Sequence, residues 1–446
     1  MTSHTGGPEV AQTQALSKTL DWFDPVNAFA PFAQTPWSLL LHDAVSGRSR
    51  LFIAPGEVCE GQDRETYDAW TQQVRYGPQG GIWAGLLGYD LAGAFERLPT
   101  FERAAPDLAM GYYPAWLEFD ETSKTVWLKG QCQTTMDQLL AVIKAGQASG
   151  EIPSHPVPAG GELSPLWSRD AYIERARQAR DYVHAGDVFQ LNLSQRFSGM
   201  LGAHDTPYDV FRRLMQDSPA PHAAYFCLSS DRVLATHSPE RFIAVTAGAV
   251  ETRPIKGTRP RGATPDEDQA LAAELLDSGK DRAENLMIVD LMRNDLSRVC
   301  VTGSVKVPQL CGVETYSNVH HLVSSVTGRL AEGTDALDLL AASFPPGSIT
   351  GAPKVRAMEI IAELEGEARG AYCGALGWMS GTQTLDLNVM IRTVMFERAG
   401  PDWSVVIRSG GGIVAESDPQ AEYQETLTKA SGLFQAITGH GAMEGL

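Results

Sequence analysis

Residues 223–256 read AAYFCLSSDRVLATHSPERFIAVTAGAVETRPIK. Four runs of strand length and composition (AAYFCL, RVLATH, RFIAV and AVETRPIK) are separated by Ser-Ser-Asp, Ser-Pro-Glu and Thr-Ala-Gly. Such clusters form turns, so the stretch predicts an antiparallel meander. Its exit, residues 251–262 (ETRPIKGTRPRG), packs Arg253, Lys256, Arg259 and Arg261 into one short loop. Pro254 and Pro260 restrain that backbone while Gly257 and Gly262 allow close approach, so the four cations sit on a stiffened segment. A loop of this kind suits a small anionic ligand; it reads equally as a solvated basic turn between two strands.

Toward the C-terminus, residues 281–296 predict a helix and another begins near Pro353. A second meander (GALGWMS, LDLNVMIRTVMFE, WSVVIRS) runs into Gly410, Gly411 and Gly412, and the last helix opens at Asp418-Pro419, a cap followed by proline at the first helical position. Toward the N-terminus, Ser168 caps a helix that carries Ile173, Ala176 and Val183, passes His184 and stops at Gly186. The strand over 188–197 then places Phe189, Leu191 and Leu193 on one face. Gln190, Asn192 and Ser194 share the other, which faces solvent or lines a polar site. Short strands are expected at 37–41 and 51–53 and a hairpin at 116–119 and 125–128, while the glycines of 80–95 match no dinucleotide fingerprint and read as close backbone packing. Residues 146–165, rich in Gly, Pro and Ser, read as a linker between an N-terminal region (1–150) and a catalytic region (167–440), intertwined in one globular unit. Helices alternating with antiparallel hairpins predict an α+β fold with helices outside stacked sheets.

The chain has 446 residues, 43% hydrophobic and 20% charged, enough for a large core. Its formal charge of −18 argues against a nucleic-acid partner, so an anionic substrate needs a local positive pocket. Six cysteines show neither a CxxC pair nor zinc-ligand spacing, and reduced thiols in a cytoplasmic protein are expected. The first seven residues lack a signal-peptide pattern and no apolar run approaches bilayer length, so neither secretion nor membrane insertion is expected.

Asp281 and Glu284 stand three apart on one expected helix, and Glu422 and Glu425 three apart on another. Each pair presents two carboxylates on one face; together they could bracket a metal, and hard oxygen donors without His or Cys favour Mg²⁺. Taken alone, each pair reads as a solvated helix face, and Lys429, one turn beyond Glu425, as its ordinary ion-pair partner. Glu240, His321, Thr350, Tyr372 and Arg392 fall where a site could form, and the glycine triplet either makes a turn or offers backbone N–H groups to an anion. Spacing alone does not assemble them into one pocket.

The ordered motifs HAGDVFQLNLSQRF, SPERF, PIKGTRPRG, KDRAENLMIVDLMRNDLSRV, FPPGSITGAPKVRAMEII and SGGGIVAESDPQAEYQETLTKA closely resemble those of the chorismate-utilising enzymes. That family includes the anthranilate, aminodeoxychorismate, isochorismate and salicylate synthases. PWSLLLHDA and GLLGYDLAGAFERLP extend the resemblance to the N-terminal region for the first two branches. The resemblance implies two antiparallel sheets packed across each other with helices on the outside. It further implies that Glu284 and Glu425 ligate Mg²⁺, with Asp281 and Glu422 close by, and that the metal holds the ring carboxylate of chorismate. Tyr372, Arg392, Lys429 and the backbone of Gly410, Gly411 and Gly412 would grip the enolpyruvyl carboxylate, Thr350 and His321 would line the ring, and Glu240 would protonate the departing 4-hydroxyl.

Two positions divide the branches. The ring-hydrating enzymes resemble one another in a lysine that activates water where this chain has Gln190, and Gln is no base at neutral pH. Anthranilate synthases typically read PIAGT; this chain reads PIKGT, as aminodeoxychorismate synthases do. Lys256 would then be a nucleophile, its pKa lowered by desolvation and by Arg253, Arg259 and Arg261. No Gly-flanked Cys elbow is present, so ammonia would come from a separate glutamine amidotransferase subunit. Two alternatives follow from the same resemblance: an anthranilate synthase, and a catalytically silent chorismate- or tryptophan-binding regulatory subunit, which the joint presence of Glu240, Lys256, Glu284 and Glu425 disfavours.

Overall fold

Period-two alternation builds a two-sheet stack in the computed structural model, which describes residues 15–441 except 104, 148–159, 218 and 317–318. Leu39, Phe226 and Leu234 of the first sheet meet Ala84, Leu86 and Tyr113 of the second in a core between the sheets. Their strand neighbours Leu40, Tyr225 and Val233 face the opposite way and pack with helical Phe29 and Phe211. On the outer side of the second sheet Trp83 and Leu87 join helical Trp70, Ile288 and Leu340. Helices therefore cover the two outer faces, the arrangement the family resemblance implies. None of the described helices is long and apolar enough to cross a membrane.

Among the described residues the sheets have 12 and 10 strands, and both halves of the chain contribute to each. Ser38–Asp43 pairs with His222–Ser229 in the first sheet, and Ile82–Leu87 with Ala375–Ser380 in the second. At Gly85, where φ is +154°, a Cβ would lie 2.0 Å from the Ala109 carbonyl oxygen, so the glycine serves close strand packing.

The expected meander over 223–256 is divided between the sheets. His222–Ser229 and Arg232–Ser238 form a hairpin in the first, whereas Arg241–Thr246 and Ala249–Thr252 form one in the second. Pro239-Glu240 is thus a crossing, not a hairpin turn. LDLNVMIRTVMFE breaks in the same way: Thr384–Val389 lies in the second sheet and Thr393–Ala399 in the first, with Arg392 between them at φ +52°. Turn chemistry marks where a strand stops; which sheet the next strand joins depends on which face finds a partner to bury it. The two crossings lie side by side, His237 N–H donating to Arg392 O and Val389 N–H to Glu240 O, each at 3.0 Å.

Local signals elsewhere survive folding. Ser168 caps Arg169–Ala185 and Gly186 ends it at φ +84°, and Asp418 accepts from Gln420 and Ala421 N–H at the start of Pro419–Thr438. The linker reading needs correction: a helix runs through Gln147, and Glu162–Pro165 is a strand paired with 197–200; the rest of that reading, 148–159, lies outside the described residues. Phe189 is 72% exposed although Leu191 and Leu193 are buried, because the regular strand begins only at Gln190.

Candidate active site

The basic stretch is the edge strand Ile255–Pro260, paired with Val319–Arg329 through a register shift between Ile255 and Thr258. Lys256 and left-handed Gly257 (φ +84°) occupy the shift, a bulge that re-aims a side chain. Lys256 Nζ donates to Ser348 O at 3.0 Å. The three arginines are neutralised by carboxylates: Arg253 by Glu314, Arg259 by Glu274 at 2.8 Å and Asp281 at 3.3 Å, Arg261 by Asp268 at 2.7 Å. The expected four-cation loop is therefore reduced to one lysine free to act. Burial is the main cause that lowers the Lys256 pKa and Lys429 adds to it, while Glu284, Glu240 and Glu425 oppose; the arginines are not the cause expected.

Glu240 lies at the crossing between sheets, 4% exposed. Burial pushes its carboxyl up to about 7, against the lowering effects of the Ser348 side chain, Lys256 and the Ile255 backbone. Ser348 therefore touches both groups, accepting from Lys256 through its carbonyl and bonding Glu240 through its side chain. An acid poised near 7 beside a lysine of lowered pKa is an arrangement for proton transfer at neutral pH.

Around this pair, His321 places Nδ1 2.8 Å from Thr258 Oγ1, and burial and Arg392 lower its pKa to about 4, so the ring is neutral at pH 7. Thr350 donates to Pro346 O and Gly347 O at 3.2 Å, and its own carbonyl accepts from Asn192 N–H at 2.7 Å. The buried carbonyl oxygens of the Gln190 and Asn192 side chains meet no hydrogen-bond partner among the described residues, and the polar face of that strand is enclosed rather than solvent-facing. Among the described residues the Arg392 guanidinium meets no carboxylate, and burial lowers its pKa. Tyr372 is buried one residue before Cys373, whose N–H donates to Met390 O at 2.8 Å on the segment that leads to Arg392. A half-buried cation without an anionic partner is a group suited to an anion.

The glycine triplet lies within strand Asp402–Ile413, not in a turn. On one side it pairs with 192–194; on the other the neighbouring strand's register stops at Ile407, so among the described residues that edge of the triplet has no strand partner. A Cβ on Gly411 would stand 3.2 Å from Glu422, 3.6 Å from Glu425 and 3.6 Å from Lys429, so these three converge above it. Lys429 bonds Glu425 at 2.7 Å and Gly410 O at 3.2 Å, with 46% of its side chain accessible.

Helices Gly279–Ser297 and Pro419–Thr438 face each other here. Lys280 Nζ lies 3.9 Å from Glu284 and 3.8 Å from Glu422, bridging them. Burial raises the pKa of Glu284 and of Glu422, and Glu425 adds to both, while Lys429 lowers that of Glu425. Asp281 is instead held by Arg259. Among the described residues no three His, Cys, Asp or Glu groups close on one point as a ready-made metal cage. Glu284, Glu422 and Glu425, which share only the two lysines Lys280 and Lys429, are nonetheless the hard oxygen donors that suit Mg²⁺, which takes one or two protein carboxylates and completes its shell with water and an anionic substrate.

Sequence reasoning missed Ser348 and Lys280; the only available signal for Lys280 was its i,i+4 spacing to Glu284.

The chain matches the chorismate binding enzyme family over residues 38–435 and belongs to it. It is 40% identical over 447 residues to the aminodeoxychorismate synthase component 1 of Klebsiella aerogenes, covering 92% of this chain and 95% of that protein. It is 36% identical over 446 residues to the anthranilate synthase component 1 of Thermus thermophilus, covering 93% and 95%. The crystal structure of anthranilate synthase component I from Streptococcus pneumoniae superposes with a TM-score of 0.77 at 30% identity, over 87% of this chain and 92% of that one.

Proposed function

We propose that the chain is an aminodeoxychorismate synthase component 1, which converts chorismate and ammonia to 4-amino-4-deoxychorismate for 4-aminobenzoate and folate synthesis. The observation that carries this reading is Lys256, a buried amine of lowered pKa that shares Ser348 with an acid of pKa about 7. Overall identity of 40% against 36% separates the two aminating branches only weakly, whereas a nucleophile in the pocket separates them chemically. The Lys256 nitrogen forms a bond to ring carbon 2, the ring double bonds shift, and the bond from carbon 4 to oxygen breaks as Glu240 delivers a proton, so that water leaves. Ammonia then bonds carbon 4, the double bonds shift back, and the bond from carbon 2 to Lys256 breaks.

Arg392, Lys429, Tyr372 and the open edge at Gly410, Gly411 and Gly412 are the groups suited to the enolpyruvyl carboxylate, and neutral His321 and Thr350 to the ring. Mg²⁺ held by Glu284 and Glu425 would neutralise the ring carboxylate. E425Q should then raise the Mg²⁺ concentration for half-maximal activity by about 10- to 100-fold; a Mg²⁺ titration with an unchanged midpoint removes Glu425 from the metal site.

The relatives' designation as component 1 supports a second component, read here as a glutamine amidotransferase in the cytoplasm that supplies the ammonia. The deciding experiment incubates the chain with chorismate, Mg²⁺ and ammonium and identifies the product. 4-Amino-4-deoxychorismate supports the proposal, anthranilate replaces it with the other aminating branch, isochorismate with the hydrating branch, and no turnover with a silent binding subunit.

A further inference from the structure

Behind the site lies a set of buried charges with no place in the chemistry above. Glu365, at the end of helix Lys354–Glu365, accepts from Arg369 at 2.7 and 3.0 Å and from Arg408 at 2.9 Å. It also accepts from the N–H and hydroxyl of Ser194, at 2.9 and 2.8 Å. The side chains of Arg369 and Arg408 are 1% exposed and that of Glu365 0%. A buried ion pair contributes little net stability compared with apolar packing, so its remaining hydrogen bonds show what it holds in place. Arg369 donates to Asn192 O at 2.6 Å and to Ile349 O at 3.1 Å. The first carbonyl belongs to a residue whose buried side-chain oxygen is unpartnered on the polar face of the site strand, and the second precedes Thr350. Asn192 N–H in turn bonds Thr350 O, which closes the connection between the two segments. The guanidinium also lies over the ring of Tyr89 at 4.7 Å, and 5.8 Å from that of Tyr372.

We propose that Arg369, oriented by Glu365, is a positioning residue that sets where the Asn192 and Thr350 segments stand against the reacting ring. Its planar fork makes all these bonds at once; a lysine can keep the ion pair with Glu365 but cannot also reach both carbonyls. Arg392 and Lys429, the two cations among the carboxylate-gripping groups, lie outside this set of bonds, so displacement of the two segments bears on the reacting centre more than on substrate capture, which their charges carry.

The inference rests on chorismate being the substrate, and the parent protein tests that separately: if it fails to turn over chorismate with ammonium, the functional reading fails first. Given parent activity, R369K should lower kcat by about 10- to 100-fold, the loss expected when reacting groups are slightly misplaced, with KM for chorismate within about twofold. R408K, which disturbs the same buried charges but bonds Glu365, Glu367, Ala368 O and the Ser194 hydroxyl rather than the Asn192 and Ile349 carbonyls, should lose stability and keep kcat within about twofold. Folded R369K with parental kcat, or R369K and R408K losing kcat equally, overturns the proposal in favour of a purely structural ion pair. Should R369K not fold, Y89L decides: it removes the ring beneath the guanidinium while leaving every charge paired. A lowered kcat at unchanged KM supports positioning, and parental kcat overturns it.

Discussion

K256A should lose at least about 10³-fold in formation of 4-amino-4-deoxychorismate, because it removes the nucleophile that divides one difficult displacement into two easier ones. Some turnover should survive, since Glu240 and the anion-binding groups remain. Direct addition of ammonia at carbon 2, now unopposed, would shift the residual product toward an anthranilate-type amine. Enzyme quenched after mixing with chorismate and Mg²⁺ but without ammonia should show added mass on the peptide containing Lys256. The lysine is suited to this step by location: the bulge at Lys256–Gly257 turns it toward Ser348, and burial with Lys429 nearby disfavours its ammonium form. Absence of the adduct, together with a wild-type rate in K256A, would end both the covalent mechanism and the branch assignment built on it.

E240Q should lower kcat by about 10²- to 10⁴-fold, the usual contribution of a positioned acid. Glutamine keeps the shape of the side chain but has no carboxyl proton to give to a leaving hydroxide. The pH profile carries the sharper distinction. Glu240 acts in its protonated form and titrates at about 7, so its activity is lost as pH rises through that value. Lys256 acts in its neutral form, so its activity is lost as pH falls below its own lowered pKa. The parent kcat profile should therefore be bell-shaped, and E240Q should lose the alkaline limb and keep the acid one. An alkaline limb that persists in E240Q assigns the acid to another group.

Much of this molecule is legible along the chain because its signals are local. Ser168 and the Asp418-Pro419 pair cap helices through atoms two or three residues away, and the alternation of Leu39 with Leu40 or Tyr225 with Phe226 needs only the pleat of a strand. The carboxylates at 281, 284, 422 and 425 and the PIKGT lysine are likewise identifiable by residue type and spacing, and through them the family. The four-cation loop failed as a reading because charge within a short stretch does not reveal partners distant in sequence: Glu314, Glu274 and Asp268 take the arginines and leave Lys256 alone.

Other features arise only when distant segments meet. Pro239-Glu240 has the composition of a hairpin turn, yet it carries the chain from one sheet to the other, because the strand after it buries its faces against different neighbours. The parallel crossing at Arg392 then joins its backbone to that of the Glu240 crossing, although the two lie far apart in sequence. Lys280 between Glu284 and Glu422, and Arg369 on the carbonyls of Asn192 and Ile349, have the same origin. Residue order determined the elements, their caps and the family's chemical groups, since these depend on bonds a few residues long. The tertiary structure alone decided which groups come together and in which direction each pKa moves, because burial and long-range charge, not sequence spacing, control both.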